Sequence, residues 1–439
     1  PEEKPRPDER ELLEDIAERT WAFFETFAGE GREYIPPDNF QQEPEKRPAV
    51  NTSPTNIGMA MAAAVSAAEL GLITADELEK RLSGTMDTVD KMQKWHGHLY
   101  NWYRTDTLEV MRPRYVSTVD SGNFCACLIT GSMALKKYGR EDTAARLERA
   151  ARETDFSALY DAERKLFRIG YDGDACELSN SWYDLLASEA RLTSLIAVAL
   201  GSVKPEHWFK LGRQMAPVLG GTLVSWSGTM FEYLMPVLFT GAAPDTLLYN
   251  SCLNAVKAQK RQRYGGVWGI SESGYYAFDR NMYYQYRAFG LQRLSLMSCR
   301  EHGRVISPYS TMLALAFDPR GACENIRRLT GEGGLGPYGM YEALDYTEGR
   351  SNPEKDHAVV QSFMAHHQGM SMCAIANALC DGAIEKYFMS YPAMRAFEIL
   401  TEERAPARGI RIKPLHSAES RVQRNGARKE ARPRIIRER

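Results

Sequence analysis

Arg10-Glu-Leu-Leu-Glu-Asp-Ile-Ala-Glu-Arg-Thr-Trp-Ala-Phe-Phe-Glu-Thr-Phe27 decides the fold class of this 439-residue chain. Leu12, Leu13, Ile16, Ala17, Trp21, Phe24 and Phe27 recur every three or four residues, which is the stripe of an amphipathic helix. Such a stripe needs a second apolar face to cover it, and the rest of the chain supplies many. After a polar, Pro-rich stretch from Gly29 to Ser53, Pro54-Thr55-Asn56 starts a helix through Glu69, with Gly71 as its stop. Thr74 caps a helix from Ala75 to Trp95, Ser121 starts Gly122 to Tyr138, and Glu141 to Leu159 forms the partner. Further helices fit Leu185 to Leu200, Glu206 to Met215, Thr246 to Arg263, Ser310 to Phe317, Arg320 to Leu329 and His357 to Leu379. A last stretch, Ala383 to Leu400, is broken at Pro392. Phe167 to Tyr171 is the one short strand candidate.

About a dozen helices, mostly in antiparallel pairs, predict an all-α fold. Six hairpins closed into a ring, an (α/α)6 toroid, account for the length and for long loops gathered at one end. Those loops, at 96–120, 172–184, 219–236, 264–290 and 331–355, are rich in Gly and aromatics, and loops of this length in a compact domain are usually functional. Ordinary cores stop growing near ~250–300 residues, so one domain over residues 1–400 requires a repetitive architecture of this kind.

Composition narrows the function. The formal charge of −2 carries no general footprint for nucleic acid. Residues 401–439 hold twelve Lys/Arg against five Asp/Glu, a net +7 that leaves about −9 on the remainder. With Pro406, Pro414 and Pro433 and few large apolar residues, this segment reads as a basic extension or linker. The eight cysteines form no CxxC pair and mostly lie in apolar, helix-like surroundings, as expected of a reducing compartment. No apolar run is long enough to cross a bilayer and no signal-peptide pattern is present. The chain opens at Pro1 without Met and so reads as cut from something longer.

The chemistry lies in the loops. Trp268-Gly-Ile-Ser-Glu-Ser-Gly-Tyr-Tyr276 sets one carboxylate among aromatic and small residues, a setting that desolvates an acid and offers flat surfaces to a pyranose ring. Similar surroundings recur at Trp182-Tyr183-Asp184 with Glu189, at Ser225-Trp226-Ser227-Gly228 with Glu232, and at Tyr338 to Glu342 with Asp345. A sugar-cleaving site needs two carboxylates, and the candidates are Asp120, Asp184, Glu189, Glu232, Glu272, Glu342 and Asp345. Each has a plain structural alternative: Arg191 as an ion-pair partner for Glu189, loop anchoring for Glu232, helix capping for Asp345. Trp182, Trp226, Trp268 and Tyr286 are the candidate stacking platforms. Trp102, Tyr103, Tyr338 and Tyr341 are candidates for a wall on the acceptor side. His96/His98 and His366/His367 lack the i, i+4 spacing that puts two imidazoles on one helix face, so no metal and no cofactor is expected. Within Met364-Ala-His-His-Gln368, one His is expected to face the core and the other a loop, in a structural or sugar-contacting role rather than as a metal ligand.

In order along residues 10–406, eight segments resemble one family: Asn51 to Gly58, Asn101-Trp-Tyr103, Tyr115 to Asn123, Tyr183 to Leu192, Ser225 to Pro236, Trp268 to Ser273, Tyr284-Gln-Tyr286 and Met364 to Met370. It is the central glycoamylase-like domain of cyclic β-1,2-glucan synthases. The resemblance implies a cytoplasmic-side (α/α)6 domain that acts on linear β-1,2-glucan by anomer-retaining transglycosylation, the chain's own end attacking to close a ring. It also implies kinship with endo-β-1,2-glucanases, which hydrolyse the same polymer with inversion, and flanking glycosyltransferase and phosphorylase-like domains in a longer, inner-membrane-bound parent. A non-catalytic β-glucan-binding domain is the alternative outside enzymes. Carried over motif by motif, Glu189 is the acid/base and Glu272 the nucleophile. Tyr183, Asp184, His366, His367 and Gln368 fall among substrate-binding positions. In the relatives the acid reaches the leaving oxygen through a sugar hydroxyl, which implies a Glu189–Glu272 separation above the ~5–5.5 Å of ordinary retaining enzymes. Cys125-Ala-Cys127 and Val267 depart from the family pattern.

Overall fold

The computed structural model describes residues 4–297, 303–350 and 355–404. Helices dominate, in chain order α1 (Pro7–Phe27), α2 (Pro54–Glu69), α3 (Ala75–Lys91), α4 (Thr118–Lys137), α5 (Glu141–Glu153), α6 (Arg191–Ala199), α7 (Glu206–Lys210), α8 (Met230–Leu234), α9 (Val237–Thr240), α10 (Leu247–Arg261), α11 (Pro308–Leu313), α12 (Pro319–Gly331), α13 (Ala365–Leu379), α14 (Ala383–Ser390) and α15 (Pro392–Ala396). Among the described residues no helix is long and apolar enough to cross a membrane. The basic segment 401–439 lies outside the described residues from position 405 onward.

Two kinds of helix alternate. α3, α5 and α12 bury one stripe each, such as Ala144, Leu147 and Ala151 on α5. α2, α4, α6, α11 and α13 are buried nearly all round and carry small residues that let neighbours approach closely. α2 packs on α4 and α13, α4 on α5 and α6, and α11 on α8, α12 and α13. Close approach explains two motif glycines. A Cβ on Gly122 of α4 would sit 1.9 Å from Thr193 Oγ1 of α6, and one on Gly369 of α13 would sit 2.7 Å from Met59 Cβ of α2.

Four of the five buried helices begin at the ends of strands. Asn51–Thr52 and Val110–Ser117 share a five-stranded antiparallel sheet, register Thr52↔Tyr103 and Asn101↔Tyr115, and lead into α2 and α4. Val305–Ile306 leads into α11 and Ser362–Met364 into α13. Ser53 and Ser117 cap α2 and α4 by accepting from the backbone N–H groups of Asn56 and Asp120.

The short strands, arranged in small sheets, exceed what helical periodicity anticipates. Residues 357–364, expected to be helical, form strands because Ala358–Val360 pairs with Ala343–Asp345 and Phe363 pairs with Phe40. Residues 185–190 also stay out of the helix, since Leu186 N donates to Gly212 O. Trp95 belongs to a hairpin rather than to α3. Conversely, the expected loop 219–236 contains α8. Of the described cysteines, Cys125, Cys127, Cys252, Cys323 and Cys373 are buried and Cys176 is exposed; Cys299 lies outside the described residues.

Candidate active site

The segment Trp268 to Ser271 enters the core. Gly269 adopts φ +121°, a conformation open to glycine, and a Cβ there would also meet Ser310 Oγ at 2.6 Å. Ser271 is fully buried, accepting from Phe231 N at 3.0 Å and bonded to the Tyr309 hydroxyl at 2.9 Å. Tyr309 in turn donates to the Glu272 carbonyl at 3.0 Å. This clamp delivers the half-buried Glu272 carboxylate at the start of the hairpin Ser273–Phe278/Tyr284–Arg287. The register Gly274↔Tyr286 brings the Tyr286 hydroxyl back to donate to Glu272 Oε1 at 2.9 Å.

Glu189 sits half-buried in the turn before α6. The ion pair with Arg191, the structural alternative for Glu189, does not form. That guanidinium, itself buried, donates to the carbonyls of Ser188 at 3.1 Å, Glu232 at 2.7 Å and Tyr233, tying α6 to α8. Burial, and then the charge of Glu272, push the Glu189 carboxyl well above the ordinary range. Burial pushes Glu272 up to about 7, while the Tyr286 hydroxyl holds it down. Tyr183 is half-buried with Glu189 as its strongest charged neighbour, and Asp120 stands in the first turn of α4, near enough to act electrostatically on both glutamates. The structure thus brings together Glu189, Glu272, Asp120, Tyr183, Tyr286, His366 and His367.

His367 is buried and its ring lies flat on Tyr309, centroids 3.6 Å apart. Its Nδ1 is 3.0 Å from Glu342 Oε2 and its Nε2 3.4 Å from the Tyr286 hydroxyl. His366, half-buried, has Nδ1 3.0 Å from Asn56 Oδ1, and Asn56 Nδ2 donates to Asp38 Oδ1 at 2.8 Å. One His does face the core.

Most of the other expected sugar contacts have partners within the protein. Trp268 and Tyr103 are core residues, 1% and 0% exposed, with the Tyr103 hydroxyl bonded to the Gln93 carbonyl. Glu342 is buried beneath His367 and accepts from Gly274 N at 2.9 Å. Asp345 is fully buried on a strand, accepting from Tyr276 N and Thr347 N, so it is neither a helix cap nor open to a ligand. Glu232 is a loop anchor, accepting from Ser225 Oγ, Ser227 N and Thr229 N. Tyr338 packs edge-on against Phe23, Phe27, Phe40 and Phe363. Gln368 is buried, donating to the Met340 carbonyl. Arg164 lies 3.9 Å over the Trp182 ring, whose indole N–H donates to Asp161, so a cation covers that face. Trp102 at 37%, Trp226 at 39% and Tyr286 at 42% exposure keep open aromatic faces, and the Trp226 indole N–H donates to Asp184 Oδ1 at 2.9 Å.

Tyr309, Asn56 and Asp38 escape sequence reasoning as site residues. Asn56 lies inside one of the matched motifs, which was a usable signal; Tyr309 and Asp38 join the site through contacts with residues far along the chain.

Residues 181–392 match the Glycoamylase family model, and residues 15–126 match a second family described as a protein of unknown function. The chain is 34% identical to the cyclic β-(1,2)-glucan synthase NdvB of Rhizobium meliloti (strain 1021), over 90% of this chain and 19% of that protein. It therefore spans about a fifth of the length of the curated relative it matches. Among solved structures, the endo-β-1,2-glucanase of Chitinophaga pinensis, in complex with sophorotriose and glucose, superposes with a TM-score of 0.74 at 16% identity, over 90% of this chain and 99% of that one. The Talaromyces funiculosus endo-β-1,2-glucanase mutant bound to β-1,2-glucan gives 0.71 at 12% identity, over 90% of each chain. The two structural likenesses establish a shared, mainly helical fold. Together the comparisons bear out the resemblance to the glycoamylase-like domain of cyclic β-1,2-glucan synthases.

Proposed function

We propose that this chain acts on β-1,2-glucan as an anomer-retaining transglycosylase, with Glu272 as nucleophile and Glu189 as acid/base. The observation that carries the reading is the pairing of two half-buried carboxylates in opposed settings: Glu272 receives a hydroxyl hydrogen bond that favours its anion, whereas Glu189 is desolvated beside that anion and keeps its proton. Glu272 attacks the anomeric carbon to form a glycosyl ester while Glu189 protonates the departing oxygen. Esterification removes the Glu272 charge, which lowers the proton affinity of Glu189 and readies it to take a proton from the incoming acceptor hydroxyl. A sugar hydroxyl as acceptor gives transfer or a ring, and water gives hydrolysis. The endo-β-1,2-glucanase likenesses favour hydrolysis as the second reading.

The architecture we infer for it is the (α/α)6 toroid over residues 1–400. In support, α2, α4, α6, α8, α11 and α13 form successive contacts, with Arg191 bridging α6 to α8 and α13 returning to α2, while α3, α5, α7, α10, α12 and α14 follow each as an outer partner. Trp102 and Trp226 offer the open faces for glucose units, and the parent chain would supply glycosyltransferase and phosphorylase-like neighbours. Incubation with linear β-1,2-glucan and mass analysis of products tests the reading. Cyclic rings and lengthened chains are expected. Short linear products alone would replace transfer by hydrolysis, and unchanged glucan would make this a binding domain.

A further inference from the structure

We propose that Glu272, His366 and His367 form a binding site for a divalent transition-metal ion, of the zinc or cobalt class, lying across the nucleophilic carboxylate. One ligand atom from each of the three lies within 4.8 Å of the others. Spacing along a helix argued against a metal here because adjacent histidines diverge. At the first turn of α13, however, the two rings come together with centroids 4.1 Å apart, and the third ligand arrives from a different segment altogether.

The hydrogen bonds behind the rings supply the second argument. Asn56 uses its Nδ2 on Asp38, so the oxygen of its amide faces His366, and His366 Nδ1 must be the protonated nitrogen. When Glu342 is ionised it can only accept, and His367 then also carries its proton on Nδ1. His366 is thereby set in the tautomer that leaves Nε2 as a lone pair, and His367 takes the same tautomer above an ionised Glu342; an N–H bonded to carboxylate or amide oxygen is the usual support of a metal-bound histidine. The Tyr286 hydroxyl, between Glu272 Oε1 and His367 Nε2, marks the point of convergence. Two nitrogens and one carboxylate oxygen suit zinc or cobalt better than magnesium or calcium, which prefer oxygen alone. The strongest charged neighbours of Glu272 are Glu232, Glu342 and Asp120, all acidic, so a dication enters a favourable field. An ion held there occupies the nucleophile and excludes the sugar.

Zinc titration by calorimetry and cobalt(II) absorption spectroscopy test the site without any turnover, so their failure leaves the glucan reading untouched. The expected result is one ion per chain, a cobalt spectrum lacking a thiolate charge-transfer band, and affinity at least about tenfold weaker in His366→Ala and Glu272→Gln. Glu342→Gln, which touches no metal, should weaken binding by about 10–100-fold through His367. His366 is only half-buried, so its variant should fold, and circular dichroism verifies that. No binding by wild type, unchanged affinity in His366→Ala, or a thiolate band pointing to cysteine would each overturn the proposal.

Discussion

Tyr286→Phe separates two roles for one side chain. The ring is 42% exposed and could carry a sugar, yet its hydroxyl donates to Glu272 Oε1 at 2.9 Å. Phenylalanine keeps the ring and removes only that bond. A hydrogen bond to a charged group contributes about 1.5–3 kcal/mol, and at about 1.4 kcal/mol per decade its loss corresponds to roughly 10- to 150-fold. The loss should appear in kcat, because the carboxylate is no longer aimed or favoured as its anion, whereas the apolar face that meets sugar is intact and KM should hardly move. Initial rates of bond cleavage over a range of linear β-1,2-glucan concentrations give both constants. If Tyr286 is only a stacking platform, Phe will behave as wild type while Ala raises KM. Wild-type kcat in Tyr286→Phe would refute the assignment of this hydroxyl to Glu272.

Glu189→Gln and Glu272→Gln should each lose ~10²–10⁴-fold in rate with an unchanged melting temperature; either variant above about a tenth of wild-type rate leaves the chemistry to another residue. Gly122→Ala forces a methyl to within 1.9 Å of Thr193 Oγ1 and should destabilise by about 1–3 kcal/mol, whereas Gly331→Ala, with nothing within 4 Å, should be close to neutral in the same thermal melt. His98 is 1% exposed, bonded to the Asp155 carbonyl, and burial holds its imidazole down at about 4 from an ordinary 6.5. The unfolded chain therefore binds a proton that the native one refuses between those values, so stability contributed at neutral pH is lost as pH falls from 6.5 towards 4, by about 3 kcal/mol in total. Denaturant melts of His98→Asn should show a correspondingly flatter pH dependence over that window; identical slopes would remove His98 from the acid transition.

Much of where the chain forms helix was legible because the interactions that start and pattern a helix span three or four residues. The stripe from Leu13 to Phe27 is buried as its spacing predicts, α2 runs from Pro54 to Glu69 as expected, and Thr74 and Thr246 accept the backbone N–H three residues on. The carboxylates of the site were legible as candidates, and the family motifs singled out Glu189 and Glu272. Local sequence could not decide which aromatic or acid faces the ligand. Trp226 and Trp268 sit in similar runs of small residues, yet one is 39% exposed and the other 1%. Glu342 looks like any loop acid until strands and helices from distant parts of the chain place Gly274 and His367 against it. Segment 357–364 carries a helical pattern but pairs with Ala343–Asp345 and Phe40 instead. Capping and periodicity are set between near neighbours, so the sequence by itself determines them; burial, strand pairing and the environment of a charge depend on what lies across the fold, and only the tertiary structure decides those.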